Sequence, residues 1–157
     1  MSDIQYGYIL QEYYDVHNNL QKILDLGEDA KHGIRTHLCL NINYNGNNIL
    51  IPLRKNLGNA ERRFGRIGFA VPSMSKPDAG LDYRYIMIIE DDKYIKFDIP
   101  KIPNSQVSII ERNYATIESQ AIEYINSYIK VAKKGRVDKV ARFRESSLIN
   151  FDKELGV

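Results

Sequence analysis

Apolar residues fall on every second position from Leu38 to Tyr44 and again from Ile49 to Leu53, and the dipeptide Asn45-Gly46 separates the two runs. Such alternation marks strands with one buried face, and Asn-Gly supplies the positive φ angles that a two-residue hairpin turn needs. A hairpin of residues 37–44 and 48–53 is expected. Directly opposed residues share a face, so the register can be counted outward from the turn. The count pairs Tyr44 with Asn47, Ile42 with Ile49, Leu40 with Ile51 and Leu38 with Leu53. At the open end it sets His37 opposite Arg54, Thr36 opposite Lys55 and Arg35 opposite Asn56. A bulge near Pro52 would shift the count by one residue and move Lys55 to the His37 face.

The same reading gives an opening strand over Ile4 to Ile9 and a helix through Val16, Leu20, Ile23 and Leu24 that stops at Gly27. Further strands are expected at Ile67 to Val71, Asp82 to Ile89 and Tyr94 to Asp98, with a short one near Val107 to Ile110. A long amphipathic helix carries Ile117, Ala121, Ile125, Tyr128 and Ala132; it starts near Thr116 as N-cap and ends at Gly135. Leu148, Ile149 and Phe151 form a short closing element. Hairpin-joined strands with two or three helices predict an α+β fold, a curved antiparallel sheet or small barrel packed by helices. Its central strands should lie near Leu38 to Ile42 and Tyr85 to Ile89.

The 157 residues read as a single domain without repeats. The lone cysteine, Cys39, has no internal disulfide partner, and no charged-then-apolar leader precedes the first strand. The longest apolar runs, such as Ile86 to Ile89, fall far short of the ~20 residues of a membrane helix. These features predict a soluble protein of the reducing cytoplasm. Net charge is only +2, but its distribution is uneven. Acids dominate residues 1–33, whereas Lys130, Lys133, Lys134, Arg136, Lys139, Arg142 and Arg144 face only Asp138. A polyanionic partner would be drawn to that end; a solvated helix face followed by a basic loop is the plainer alternative.

Arg35, His37, Arg54, Lys55 and Asn56 meet at one sheet end in the predicted register. Cutting RNA without metal needs a group to take the 2'-OH proton, cations to hold the phosphorane and a donor for the leaving 5'-oxygen. Arg35 and Arg54 match a phosphate bidentately, Lys55 can stabilise charge or transfer a proton, and His37 titrates near neutrality. Basic residues that merely blunt an edge strand are the competing reading. Arg62, Arg63 and Arg66 form a second phosphate-holding patch, or else an exposed helical turn. His17 and His32 lack partners at metal-ligand spacing, and Gly58, Gly65 and Gly68 make no nucleotide-binding fingerprint, so no metal or cofactor is expected. Cys39 reads as packing. Tyr85, Tyr124 and Tyr128 fall on periodic elements, as core residues do.

From Arg35 to Lys55 the chain reads RTHLCLNINYNGNNILIPLRK. This resembles the toxins of type III toxin–antitoxin systems, the ToxN, CptN, TenpN and AbiQ group. The shared pattern is a basic residue, a strand, a Gly-containing turn and a second strand ending in Pro-Leu, followed by polar or basic residues. The likeness extends weakly through ATIESQAIEYINSYIKVAKKG and the closing RFRESSLINFDKEL. It implies a sheet fold similar to the Kid and MazF toxins, and metal-independent endoribonuclease activity that leaves 2',3'-cyclic phosphate ends. The implied partners are messenger RNA and an RNA antitoxin of pseudoknot repeats, which alternates with toxin subunits in closed assemblies and serves growth arrest and phage defence. The family's basic residue before the first central strand falls on Arg35, and its residue after Pro-Leu on Arg54, Lys55 or Asn56. Here the sequence departs from the family's Ser-x-Lys form, having no Ser between Leu53 and Lys55. The family's active-site tyrosine falls on Tyr13 or Tyr14.

Overall fold

A computed structural model describes residues 4–24, 37–58 and 66–157. Among these residues seven strands form one antiparallel sheet: β1 (Gln5–Ile9), β2 (Cys39–Tyr44), β3 (Asn47–Arg54), β4 (Gly68–Ala70), β5 (Gly80–Asp82), β6 (Met87–Ile89) and β7 (Ile95–Phe97). Their order is β4-β5-β3-β2-β1-β7, with β6 also pairing β3. The helices are α1 (Gln11–Val16), α2 (Asn104–Arg112), α3 (Tyr114–Lys133), α4 (Ala141–Arg144) and α5 (Asp152–Leu155).

The first hairpin forms in the counted register, from Tyr44 opposite Asn47 to Cys39 opposite Pro52. Asn45 and Gly46 take φ of 52° and 79°, as the tight turn requires. Leu53 N–H donates to the Leu38 carbonyl at 2.8 Å, so the ladder passes Pro52 without a shift and Lys55 is not carried to the His37 face. Beyond that point β3 leaves β2. Leu53 and Arg54 pair instead with Leu81 and Gly80 of β5. β3 is thus the hub of the sheet, bonded to β2, β5 and β6, and Leu50 and Ile51 are fully buried.

Several expectations are corrected. The sheet of the described residues is open, with β4 and β7 at its ends, rather than a closed barrel. The helix expected through Val16 to Leu24 lies earlier, at Gln11–Val16; Leu20 and Ile23 reach the core from irregular chain clasped by Gln21 and Asn150. Residues 82–89 are not one strand. The Asp82 carboxylate accepts from Arg84 N–H and caps a 3-10 turn, Tyr83–Tyr85, that separates β5 from β6. β6 is short and bonded through β3, so the second central strand is β3 itself. Val107 to Ile110 is helical, within α2, where Gln106 and Ile110 face inward. The long helix begins at Tyr114, two residues before the expected cap. It closes in a Schellman motif, in which Gly135 at φ 65° and Arg136 donate to the carbonyls of Ala132 and Val131. Ile117, Ala121, Tyr124, Ile125 and Tyr128 of α3 are buried in the core.

Candidate nucleic-acid site at the end of the first hairpin

Where β3 turns from β2 to β5, a fully buried carboxylate gathers cations. Asp82 Oδ2 accepts from Arg84 Nη2 at 2.8 Å and from Arg54 Nη1 at 3.1 Å, and its Oδ1 accepts from Arg84 Nε at 3.1 Å. The guanidinium carbons of Arg54 and Arg84 lie 5.1 and 5.3 Å from the centroid of the Tyr85 ring. One aromatic ring and one carboxylate therefore fix both forks. Two positive charges against one negative leave the cluster cationic. Arg84 is almost buried, whereas the Arg54 side chain is 29% exposed and within a ligand's reach. Burial opposes the charge on Arg84, but the hydrogen bonds and charge of Asp82 outweigh it and hold its pKa above the ordinary arginine value.

The cations extend beyond this trio. Gly68 pairs with Asp82, and Tyr83 N–H donates to the Ile67 carbonyl at 2.8 Å, so the exposed Arg66 stands just before the strand that pairs with Asp82. On the other flank Arg142 lies over the rings of Phe143 and Tyr124, at 4.6 and 5.8 Å. Burial above all keeps the Tyr124 phenol neutral, and the charges of Asp82, Arg84 and Arg142 all act on it. Ser147 Oγ bonds the Arg84 and Ile86 carbonyls and ties the C-terminal segment to the cluster.

Other candidates are distributed around this centre. His37, partly exposed, lines a narrow cavity with Tyr14, Cys39, Pro52 and Tyr85. Tyr85 thus borders both the Arg54 cluster and the His37 cavity. The cavity holds about 20 Å³, room for one water but not for a base. Tyr13 faces elsewhere: it is buried, stacks on His17 at 4.2 Å and packs edge-on against Tyr94. Of these two neighbouring tyrosines, Tyr14 lines the His37 cavity and Tyr13 does not. Lys55 is exposed and opens on the opposite side of the strand end, into a groove it shares with Arg54. Asn56 is spent locally, its Oδ1 accepting from Gly58 N–H at 2.6 Å. Lys133, Lys134, Arg136, Lys139 and Arg144 are exposed around the end of α3, and none of them lines that groove. Arg35, Arg62 and Arg63 lie outside the described residues.

Sequence reasoning missed Asp82, Arg84 and Tyr85. The available signal was Asp-Tyr-Arg-Tyr at a strand end, where an acid two residues before a donor forms an Asx turn. No helix among the described residues is long and apolar enough to cross a membrane.

No protein-family model matches the chain, and no curated protein does. A solved structure with the same fold is that of AbiQ, described as a lactococcal anti-phage endoribonuclease belonging to the type III toxin–antitoxin system. It is 14% identical, with a TM-score of 0.58, over 79% of this chain and 81% of that one. At this identity the likeness speaks for the fold.

Proposed function

We propose that this protein is a metal-independent endoribonuclease toxin of a type III toxin–antitoxin system, acting on messenger RNA in the cytoplasm. The observation that carries the reading is the Arg54–Asp82–Arg84 cluster, fixed on Tyr85 beside His37 and Lys55, in a chain folded like AbiQ. Buried carboxylates that orient arginine forks are suited to anions of defined geometry, and a phosphodiester is one.

The reaction balances without water or electrons. The ribose 2'-OH loses its proton to a base as O2' bonds the adjacent phosphorus. The P–O5' bond breaks, and the departing O5' takes a proton. One fragment keeps a 2',3'-cyclic phosphate and the other a 5'-OH. Arg54, backed by Arg84, holds the charge that builds on the phosphorane oxygens; Lys55 adds charge from the groove side. His37 is the group assigned to exchange protons with the substrate, with Tyr14 lining the same cavity. The inhibitor in this reading is a pseudoknot-forming repeat RNA, processed by the same site and held in a closed assembly. Exposed Lys133, Lys134, Arg136, Lys139 and Arg144 give it a second cationic surface.

The test is incubation of purified protein with end-labelled single-stranded RNA in EDTA, beside the all-2'-deoxy strand. Cutting of the RNA alone is expected. Cutting of both strands overturns the mechanism, and RNA that is bound but uncut replaces the enzyme with an RNA-binding module.

A further inference from the structure

The groove on the far side of the strand end is a feature that neither the hairpin count nor the arginine cluster explains. It holds about 340 Å³, the room of a nucleotide, where the His37 cavity holds one water. Its floor is apolar, made by Leu38, Leu53, Ala79 and Ile102, and Tyr8 stands in its wall. Its rim is cationic: Lys55 after β3, Lys76 from the turn between β4 and β5, and Lys101 before α2. Among the described residues no carboxylate lines it. Asp98 reaches Lys101 at 3.7 Å, with Lys101 itself largely exposed, so this pair holds the lysine only weakly.

An apolar floor with an aromatic wall suits the flat face of a base, and a rim of ammonium groups suits the phosphates on either side. We propose that this groove is a nucleotide-binding subsite for single-stranded RNA, which seats the nucleotide next to the scissile phosphate against Tyr8 and holds its phosphates with Lys76 and Lys101. The proposal builds on the nuclease reading in placing the scissile phosphate at Arg54, which borders both the cluster and the groove. Tyr8 is half-buried, and burial, with Asp98 and Cys39 adding to it, holds its phenol protonated above the usual pH. It therefore meets a base as a neutral ring with a hydroxyl donor. Lys76 is anchored to its turn by the backbone N–H bond to Ser73 Oγ at 3.1 Å, a bond that does not use the ammonium.

The experiment uses the intact chain and a short 2'-O-methyl RNA, which cannot undergo 2'-OH attack, with 2-aminopurine at one position. Affinity is measured across a salt series. Wild-type protein should quench the 2-aminopurine and lose affinity with a log–log salt slope of about −2, for three phosphates at ~0.7 each. Lys76→Ala/Lys101→Ala should weaken binding about tenfold at low salt and flatten the slope by about 1.4. Tyr8→Val should abolish the quenching while keeping the salt slope; if circular dichroism shows that it does not fold, the lysine pair decides alone. Unchanged affinity and slope in the lysine variant would overturn the subsite. Binding of the expected profile by a protein that never cuts RNA keeps the subsite and removes the nuclease; cutting by a protein whose lysine variant binds like wild type does the reverse.

Discussion

Arg54 and Arg84 donate to the same oxygen, Oδ2 of Asp82, at 3.1 and 2.8 Å, one from β3 and the other from the 3-10 turn after β5, which come together where β3 leaves its hairpin partner. The backbone event and the electrostatic one are the same event. Once Leu53 and Arg54 pair with Leu81 and Gly80, the next residues along β5 bring the carboxylate and the second guanidinium to the first.

Asp82→Asn should therefore be costly. It removes the negative charge shared by two guanidiniums, one of them nearly buried, and breaking a buried ion pair in this way costs about 3–5 kcal/mol. Urea unfolding should show the midpoint falling accordingly, and a midpoint within experimental error of wild type would mean that solvent already screens the cluster.

Arg54 and Lys55 are separable from that stability effect. Arg54→Ala leaves the Asp82–Arg84 pair in place, and Arg54→Lys keeps the charge but loses the planar fork. Both should lower kcat/KM for RNA about 100-fold with a near-native unfolding midpoint. Lys55→Ala, at an exposed position, should also depress cutting without altering the fold. Wild-type rates in the Arg54 variants would take the phosphate away from this fork.

Gly80→Ala tests the junction itself. A Cβ there would stand 2.6 Å from the Phe69 carbonyl oxygen and closer still to the Leu57 side chain, and the backbone oxygen cannot rotate away. A loss of about 1–3 kcal/mol is expected on denaturant unfolding. A neutral substitution would show that β4 can slide relative to β5.

The alkaline limb of stability has a definite sign. Burial pushes the Tyr6 and Tyr13 phenols up to about 12, assisted by Glu111 for Tyr6 and by Glu154 and Tyr94 for Tyr13. Tyr128 also shifts upward through burial and its bond to Asp152. In the unfolded chain these groups ionise near pH ~10, so the unfolded state releases protons first. Stability from this source is complete below about pH 10 and is lost as pH climbs through about 12. Unfolding midpoints measured between neutral and strongly alkaline pH should fall in that window, and a flat profile would mean that these phenols are reached by water.

Local rules made the first hairpin readable. Asn45-Gly46 fixes the turn, and the alternation of Leu38, Leu40 and Ile42 fixes the register, so six residue pairs follow from sequence neighbours alone. Helix α3 was readable for the same reason, its apolar stripe and Gly135 being sufficient. The readings that failed depend on distant chain. The run from Asp82 to Ile89 looks like one strand, and only the Asp82 side chain bonding its own backbone breaks it. Leu20 and Ile23 have helical spacing, yet a clasp between Gln21 and Asn150, 129 residues apart, accompanies an irregular course. At the site, the hairpin count placed Arg54 but not its partners, because Arg84 and Lys76 arrive through β5 and the turn before it. Nothing in the order of residues says that β3 will exchange β2 for β5.

The most direct test of the nuclease account is the mass of the 5'-terminal fragment left when the purified protein digests a defined RNA in EDTA. Attack by the neighbouring 2'-oxygen predicts a 2',3'-cyclic phosphate on that fragment and a 5'-OH on the next. A 3'-OH with a 5'-phosphate, the products of attack by water from the other side, would contradict it.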